Sequence, residues 1–219
     1  MVEITVDGPV WTLHLGNGEN RFTPDSLTSI DAALDEVERS PGAAALLTVG
    51  EGKFFSNGLD LDWLGAHPSE RTTYIARVEG LFARLLAFPV PTVAAVNGHA
   101  FGAGAMLALA HDLRVMHTDR GWFCLPEVDI RLVFSPGMQS LITSTLTPPA
   151  ARRAMTTGHR YPGPEALSEG IVDATASLAD LRSVAADMVR GLAGKDRETL
   201  AAIKEQLFAG TLDLLRRER

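Results

Sequence analysis

Apolar and polar side chains alternate over the first fifteen residues, which predicts two strands, 2–6 and 10–15. They join at Asp7-Gly8, a pair that tolerates the left-handed conformation of a tight hairpin. Thr23-Pro24 then offers an N-cap and a first-turn proline, and Leu27, Ile30, Leu34 and Val37 recur at helical spacing until Pro41-Gly42. A short apolar run at 44–49 leads into a glycine-rich loop. A long helical pattern follows, carrying Tyr74, Val78, Leu81, Phe82 and Leu85, and then a second apolar run at 92–96. The rhythm repeats with another glycine-rich turn, a small-residue helix and a strand at 113–116. From Ser135 the pattern is mostly helical, with Pro148-Pro149, Pro162 and Pro164 as start signals, a brief strand at Ile171-Val172, and terminal helices near 177–193 and 196–215. Strands alternating with helices predict an α/β fold with right-handed parallel crossovers. No stretch has the composition of a flexible linker, so one compact unit is expected.

Composition narrows the classes. Of 219 residues, 46% are hydrophobic and 21% charged, as in ordinary globular domains. The formal charge of −7 argues against a general nucleic-acid binder, because phosphate contact needs a positive surface. Cys124 stands alone, so no internal disulfide forms and a reducing compartment is permitted. The alternating N-terminus is unlike a signal peptide, and no run of about 18 apolar residues occurs. A soluble, cytoplasmic protein without a membrane partner is the expectation.

Candidate chemistry gathers at two strand-to-helix junctions, 50–61 and 97–105, each placing small residues just past a predicted parallel strand. Glycine lets the backbone approach a ligand there, and the following helix directs free N–H groups outward, an arrangement suited to a negative oxygen. Either loop alone is equally well read as a tight crossover turn. The dinucleotide fingerprint is incomplete, since Gly102 and Gly104 lack the third glycine and the later acidic residue. There is no Walker lysine and no Gly-x-Ser-x-Gly elbow. The six histidines show no metal spacing, so no metal site is expected, and Cys124 reads as a small core residue.

Three blocks taken in order carry a resemblance. Phe55-Ser56-Asn57-Gly58-Leu59-Asp60-Leu61 is followed by 91–104, with Asn97-Gly98-His99-Ala100-Phe101-Gly102-Ala103-Gly104 at its end, and then by Phe123-Cys124-Leu125-Pro126-Glu127. The chain resembles the crotonase (enoyl-CoA hydratase/isomerase) family, and 165–173 is similar to a further family pattern. The resemblance implies an α/β spiral of ββα repeats over 1–175. A mainly helical region, 176–219, would pack on the core or on a neighbouring subunit. It also implies an oxyanion hole from the backbone N–H groups of Leu59 and Ala103. Coenzyme A would lie along Lys53, Phe55, Asn57, Gly58 and Gly102, as part of an acyl-CoA substrate and with no separate cofactor. A homotrimer or a dimer of trimers is the family assembly.

The remaining functional group is Glu127. A lone Glu after Pro reads by itself as a first-turn helix cap. Beside two such loops, and between Phe123, Leu125 and Val128, it reads as a base whose pKa is raised by apolar surroundings. Family hydratases carry a second glutamate two residues after the last glycine of the second block, where this chain has Met106. One carboxylate can shuttle a proton between C2 and C4 but is poorly equipped to hold a water. The likeness therefore points to a Δ3,Δ2-enoyl-CoA isomerase of fatty-acid degradation, especially the peroxisomal plant type. The alternatives are a hydratase or another crotonase reaction assisted by Asp129 or Asp60, and a silent acyl-CoA-binding homologue. Candidate pocket walls are Trp63, Leu64, Phe82, Trp122 and Phe134. The sequence ends before the final helices of longer relatives, which would leave the pocket more open or transfer its lid to the helix carrying Lys204, Leu207 and Phe208; equally, Leu207 and Phe208 would pack on the core with Lys204 solvated.

Overall fold

A computed structural model describes residues 2–217. The opening hairpin pairs β1 (Glu3–Asp7) with β2 (Val10–His14) antiparallel, turning at Gly8 with φ of +56°. Thr23 caps α1 (Pro24–Arg39) by accepting from the Ser26 N–H at 3.1 Å, and the face carrying Leu27, Ile30, Leu34 and Val37 is buried.

One unit is then repeated three times. β3 (Ala45–Val49) runs into β4 (Phe54–Ser56) and the helices α2 (Leu61–Ala66) and α3 (Arg71–Leu86). β5 (Thr92–Val96) runs into β6 (His99–Phe101) and α4 (Ala103–Leu109), and β7 (Leu113–His117) into β8 (Phe123–Cys124) and α5 (Pro136–Thr145). After α6 (Pro148–Thr157) and α7 (Gly163–Ser168), β9 (Ala174–Ala176) returns to the first sheet. The first strand of each unit builds a six-stranded sheet, β1-β2-β3-β5-β7-β9, and the second builds a small parallel sheet, β4-β6-β8. This is the spiral of ββα repeats that the resemblance implied. A helical C-terminal region completes it with α8 (Leu181–Arg190), α9 (Arg197–Leu207) and α10 (Ala209–Leu215).

The central strands of the large sheet, β3, β5 and β7, are covered on both faces and are mostly apolar on both sides, whereas β1 is largely exposed. Ala45, Leu47, Val49, Val93, Ala95 and Val115 face Leu181, Ala185 and Val189 of α8. Leu46, Ala94 and Met116 point the other way, into the core shared with α1, α3 and α4. α10 lies against α5 and α3.

Four expectations are corrected. Ile171 and Val172 are buried turn residues, and the strand begins at Ala174, because the Asp173 N–H bonds to the Arg114 carbonyl where pairing with β7 starts. The small sheet forms where the sequence pattern predicts only loops, because its strands are two or three residues long. The helix expected over 196–215 breaks at Phe208, so that α9 and α10 reach different surfaces. In α9 the Lys204 ammonium is buried, bonding to the carbonyls of Phe88 and Val90 at 3.0 and 3.2 Å and to Asp112 at 2.6 Å. Lys204 and Phe208 line a cavity with Leu86 and His111, away from Glu127, and Leu207 is 70% exposed. Within the chain this helix anchors the segment entering β5 and is no lid over the Glu127 cavity.

Candidate active site

Two adjoining cavities of about 610 and 400 Å³ share Leu59, Leu61, Ala103, Glu127, Ile130 and Leu132. The larger runs between α2, α3 and the start of α5, with Leu64, Ile75, Met106, Phe134 and Met138 in its wall. The smaller opens toward Arg21, Asn57, Phe101, Gly102 and Arg160.

The two loops meet at the junction of these cavities. The Phe22 N–H donates to the Gly58 carbonyl at 2.9 Å, and in a planar trans peptide the next N–H points the opposite way, so Leu59 N–H is turned away from Phe22. The Gly102 carbonyl accepts from Met106 N–H at 3.0 Å inside α4, which turns Ala103 N–H out of the helix start. Neither the Leu59 nor the Ala103 N–H has an acceptor among the described residues. Close approach of the loops depends on glycine. A Cβ at Gly58, where φ is +78°, would stand 2.7 Å from the Phe101 carbonyl and 2.9 Å from the Ala103 nitrogen. One at Gly104 would stand 2.2 Å from the Ser56 carbonyl.

Glu127 is brought beside them by a turn wound on Pro126, whose carbonyl accepts from the N–H groups of Asp129 and Ile130, rather than by the first turn of a helix. A Cβ at Gly102 would lie 3.2 Å from Glu127 Oε1, which places the carboxyl next to the Ala103 amide. The side chain is 7% exposed, and its Oε2 is enclosed without a hydrogen-bond partner among the described residues. Burial raises its pKa from 4.5 to about 7, partly offset by hydrogen bonding from its own backbone N–H. A group titrating there is a competent acid and base at neutral pH.

The other expected residues are placed unevenly. Asn57 and Gly102 line the smaller cavity, and Gly58 is buried behind Leu59. Lys53 is exposed with its ammonium 5.3 Å from the Phe54 ring centre and lines neither cavity, while Phe55 is fully buried and presents only backbone. Asp60 accepts from Trp63 N–H as the cap of α2, and Asp129 is exposed next to Gly158, so neither lines a cavity. Of the proposed walls, Leu64 and Phe134 are in place. Phe82 is buried against Phe22, Trp63 stacks on His67, and Trp122 packs by His99. Sequence reasoning missed Arg160, whose guanidinium lies 5.8 Å from the Phe101 ring centre and 5.3 Å from that of Trp122 at the smaller cavity. It also read Tyr74 as core alone. A tyrosine on a buried helical face is itself the signal, since its hydroxyl must find a partner. Among the described residues no cluster of three or more His, Cys, Asp or Glu is arranged to hold a metal ion. None of their helices is long and apolar enough to cross a membrane.

The family model described as enoyl-CoA hydratase/isomerase matches residues 9–219. An enoyl-CoA delta isomerase 2 of Arabidopsis thaliana, described as peroxisomal, is 38% identical over 205 residues, which are 88% of this chain and 85% of that protein. Among solved structures, a probable enoyl-CoA hydratase of Mycobacterium tuberculosis superposes with a TM-score of 0.92 at 27% identity, covering 99% of this chain and 92% of that one. Human mitochondrial delta3-delta2-enoyl-CoA isomerase shares the fold, with a TM-score of 0.89 at 23% identity over 97% of this chain and 84% of that one.

Proposed function

Because the chain belongs to the enoyl-CoA hydratase/isomerase family, we propose that it is a Δ3,Δ2-enoyl-CoA isomerase acting in fatty-acid degradation. The Glu127 carboxylate takes a proton from C2, which is activated by the thioester carbonyl on one side and the C3–C4 double bond on the other. The electron pair left behind spreads onto the thioester oxygen, and the Leu59 and Ala103 N–H groups hold that oxygen as its charge develops. Fixed donors of this kind are worth about 2.7–4 kcal/mol of barrier each. Glu127 then returns the proton at C4, leaving the double bond between C2 and C3 with no change in composition. The acyl chain occupies the larger, apolar-walled cavity, and the coenzyme A moiety leaves through the smaller one past Asn57 and Gly102. The reaction itself needs no cofactor besides the coenzyme A of its substrate.

The observation that carries the reading is the single carboxylate. Among the described residues Glu127 is the only acidic one lining the larger cavity, and Met106, buried beside it, occupies the place of the hydratases' second glutamate. Asp62 reaches the smaller cavity but is paired with Arg21 at 2.7 Å. A water at the double bond would have one carboxylate rather than two to orient it. The test is to incubate the purified protein with 3-enoyl-CoA and with 2-enoyl-CoA separately. Conversion of the first to the conjugated 2-enoyl thioester with slow hydration of the second is expected. Hydration as fast as isomerisation would make the protein a hydratase, and inertness toward both would leave an acyl-CoA-binding homologue. As in the family, a homotrimer or a dimer of trimers is the proposed assembly.

A further inference from the structure

The donor at Leu59 sits between β4 and α2, where one isolated bridge to Phe22 stands in place of a ladder of hydrogen bonds. A donor in such a segment aims accurately only if neighbouring peptides are held from outside. Here the Phe22–Leu59 bridge and the Ser56 hydroxyl, which accepts from the Gly58 N–H at 3.2 Å, hold one side, and a single buried side chain joins that side to the other. Tyr74, on the buried face of α3 and 2% exposed, donates its hydroxyl hydrogen to the Phe22 carbonyl at 2.6 Å. The Tyr74 hydroxyl oxygen itself accepts from the Asp60 N–H at 2.9 Å. Phe22 in turn donates its N–H to the Gly58 carbonyl. The peptides on both sides of Leu59 are thereby tied to one point: Gly58–Leu59 through Phe22, and Leu59–Asp60 directly. Burial pushes the Tyr74 pKa up to about 12, so the hydroxyl keeps its proton at any working pH.

We propose that Tyr74 is a positioning residue of the oxyanion hole, setting through this bracket the aim of the Leu59 N–H at the thioester oxygen. It touches no substrate atom and acts through Phe22 and Asp60. The inference rests on the reading of Leu59 as an oxyanion donor, and it holds for any thioester enolate formed at this site. Its place on α3 also links the donor to the acyl chain, because Ile75, the next residue, lines the larger cavity. Removal of the hydroxyl frees a buried carbonyl and an N–H at once, and the peptide between them then relaxes. Misaimed donors are weak ones, since hydrogen bonds fall off steeply with angle.

Tyr74→Phe tests this better than Tyr74→Ala, because the ring keeps its packing on Trp63 at 5.1 Å between centroids. The probe is acetoacetyl-CoA, whose enolate has its own near-ultraviolet band, titrated into the purified full-length protein. Tyr74→Phe is expected to lower the fraction of bound thioester present as enolate by about tenfold, less than the roughly hundredfold or more that outright loss of an oxyanion donor costs. Affinity for free coenzyme A, which has no thioester carbonyl, should stay within twofold. Val78→Ala, one turn along the same buried face, lowers stability without touching the bracket and should leave the enolate fraction as in the wild type. An unchanged enolate fraction in Tyr74→Phe, or an equal fall in Val78→Ala, would overturn the assignment. A wild-type protein that forms no bound enolate overturns the oxyanion hole together with Tyr74's part in it. A wild-type protein that forms enolate but does not isomerise 3-enoyl-CoA overturns the isomerase reading and leaves Tyr74 in place.

Discussion

Replacing Glu127 by Gln should do two opposite things, and both follow from one buried carboxyl. Without a titrating group the proton shuttle is lost, so turnover on 3-enoyl-CoA should fall by at least about a hundredfold. Stability should move the other way. The folded pKa of about 7 lies above the unfolded value near 4.5, so the native state binds the proton more tightly than the unfolded chain does. The wild-type protein therefore loses stability as pH rises from 4.5 to 7, by about 3 kcal/mol at 1.36 kcal/mol per unit. At 7% exposure the carboxyl has little water to screen this cost. Gln imitates the neutral form at every pH. Glu127→Gln should match the wild type at pH 4.5 and gain up to about 3 kcal/mol at pH 8, equivalent to about 6–12 °C in a domain of this size. Thermal melts across pH 4.5–8, run at one protein concentration so that assembly does not shift Tm, would measure the gap. A gap that does not widen with pH would refute the claim that burial raises the Glu127 pKa. Undiminished turnover would remove Glu127 from the chemistry.

The remaining predictions address other parts of the site. Wild-type kcat/KM should rise with pH through about 7 and then level, as the base form of Glu127 accumulates, and an acidic limb centred near 4.5 would contradict the raised pKa. Met106→Glu should make hydration of 2-enoyl-CoA measurable while lowering Tm, because Met106 is 1% exposed and a second carboxylate there is buried beside the first. Gly58→Ala forces a side chain onto a φ of +78° and into the Ala103 amide, so kcat should fall by about a hundredfold or more, and a normal kcat would refute the placement of the oxyanion hole. Lys204→Met should cost about 1–3 kcal/mol by leaving the Phe88 and Val90 carbonyls without their donor, yet leave the KM for 3-enoyl-CoA unchanged. A raised KM would return a lid role to α9.

The local pattern already carried the hairpin, α1, the apolar runs over 44–49, 92–96 and 113–116 and the two glycine-rich junctions, while the choice of Leu59 and Ala103 within those junctions came from the family resemblance. These features are written in short-range terms: alternation, helical periodicity, caps, and glycine placed where a strand ends. What the tertiary structure decided lies between segments. The strands of the small sheet are too short to show a period and exist only because each unit sets its second strand beside that of the next. Lys204 reads as a solvated residue on a helix surface, but its ammonium finds two carbonyls from the turn before β5 and one carboxylate from the turn before β7. Trp63, Phe82 and Trp122 have the bulk of pocket walls, yet packing spends them elsewhere and leaves that role to Ile75, Met106 and Met138. The Glu127 pKa and the Tyr74 bracket are of the same kind. A sequence names a carboxyl and a hydroxyl, but the water excluded from one depends on the packing around it, and the peptides tied by the other belong to residues 14 and 52 positions away, which only the folded chain brings within hydrogen-bond distance.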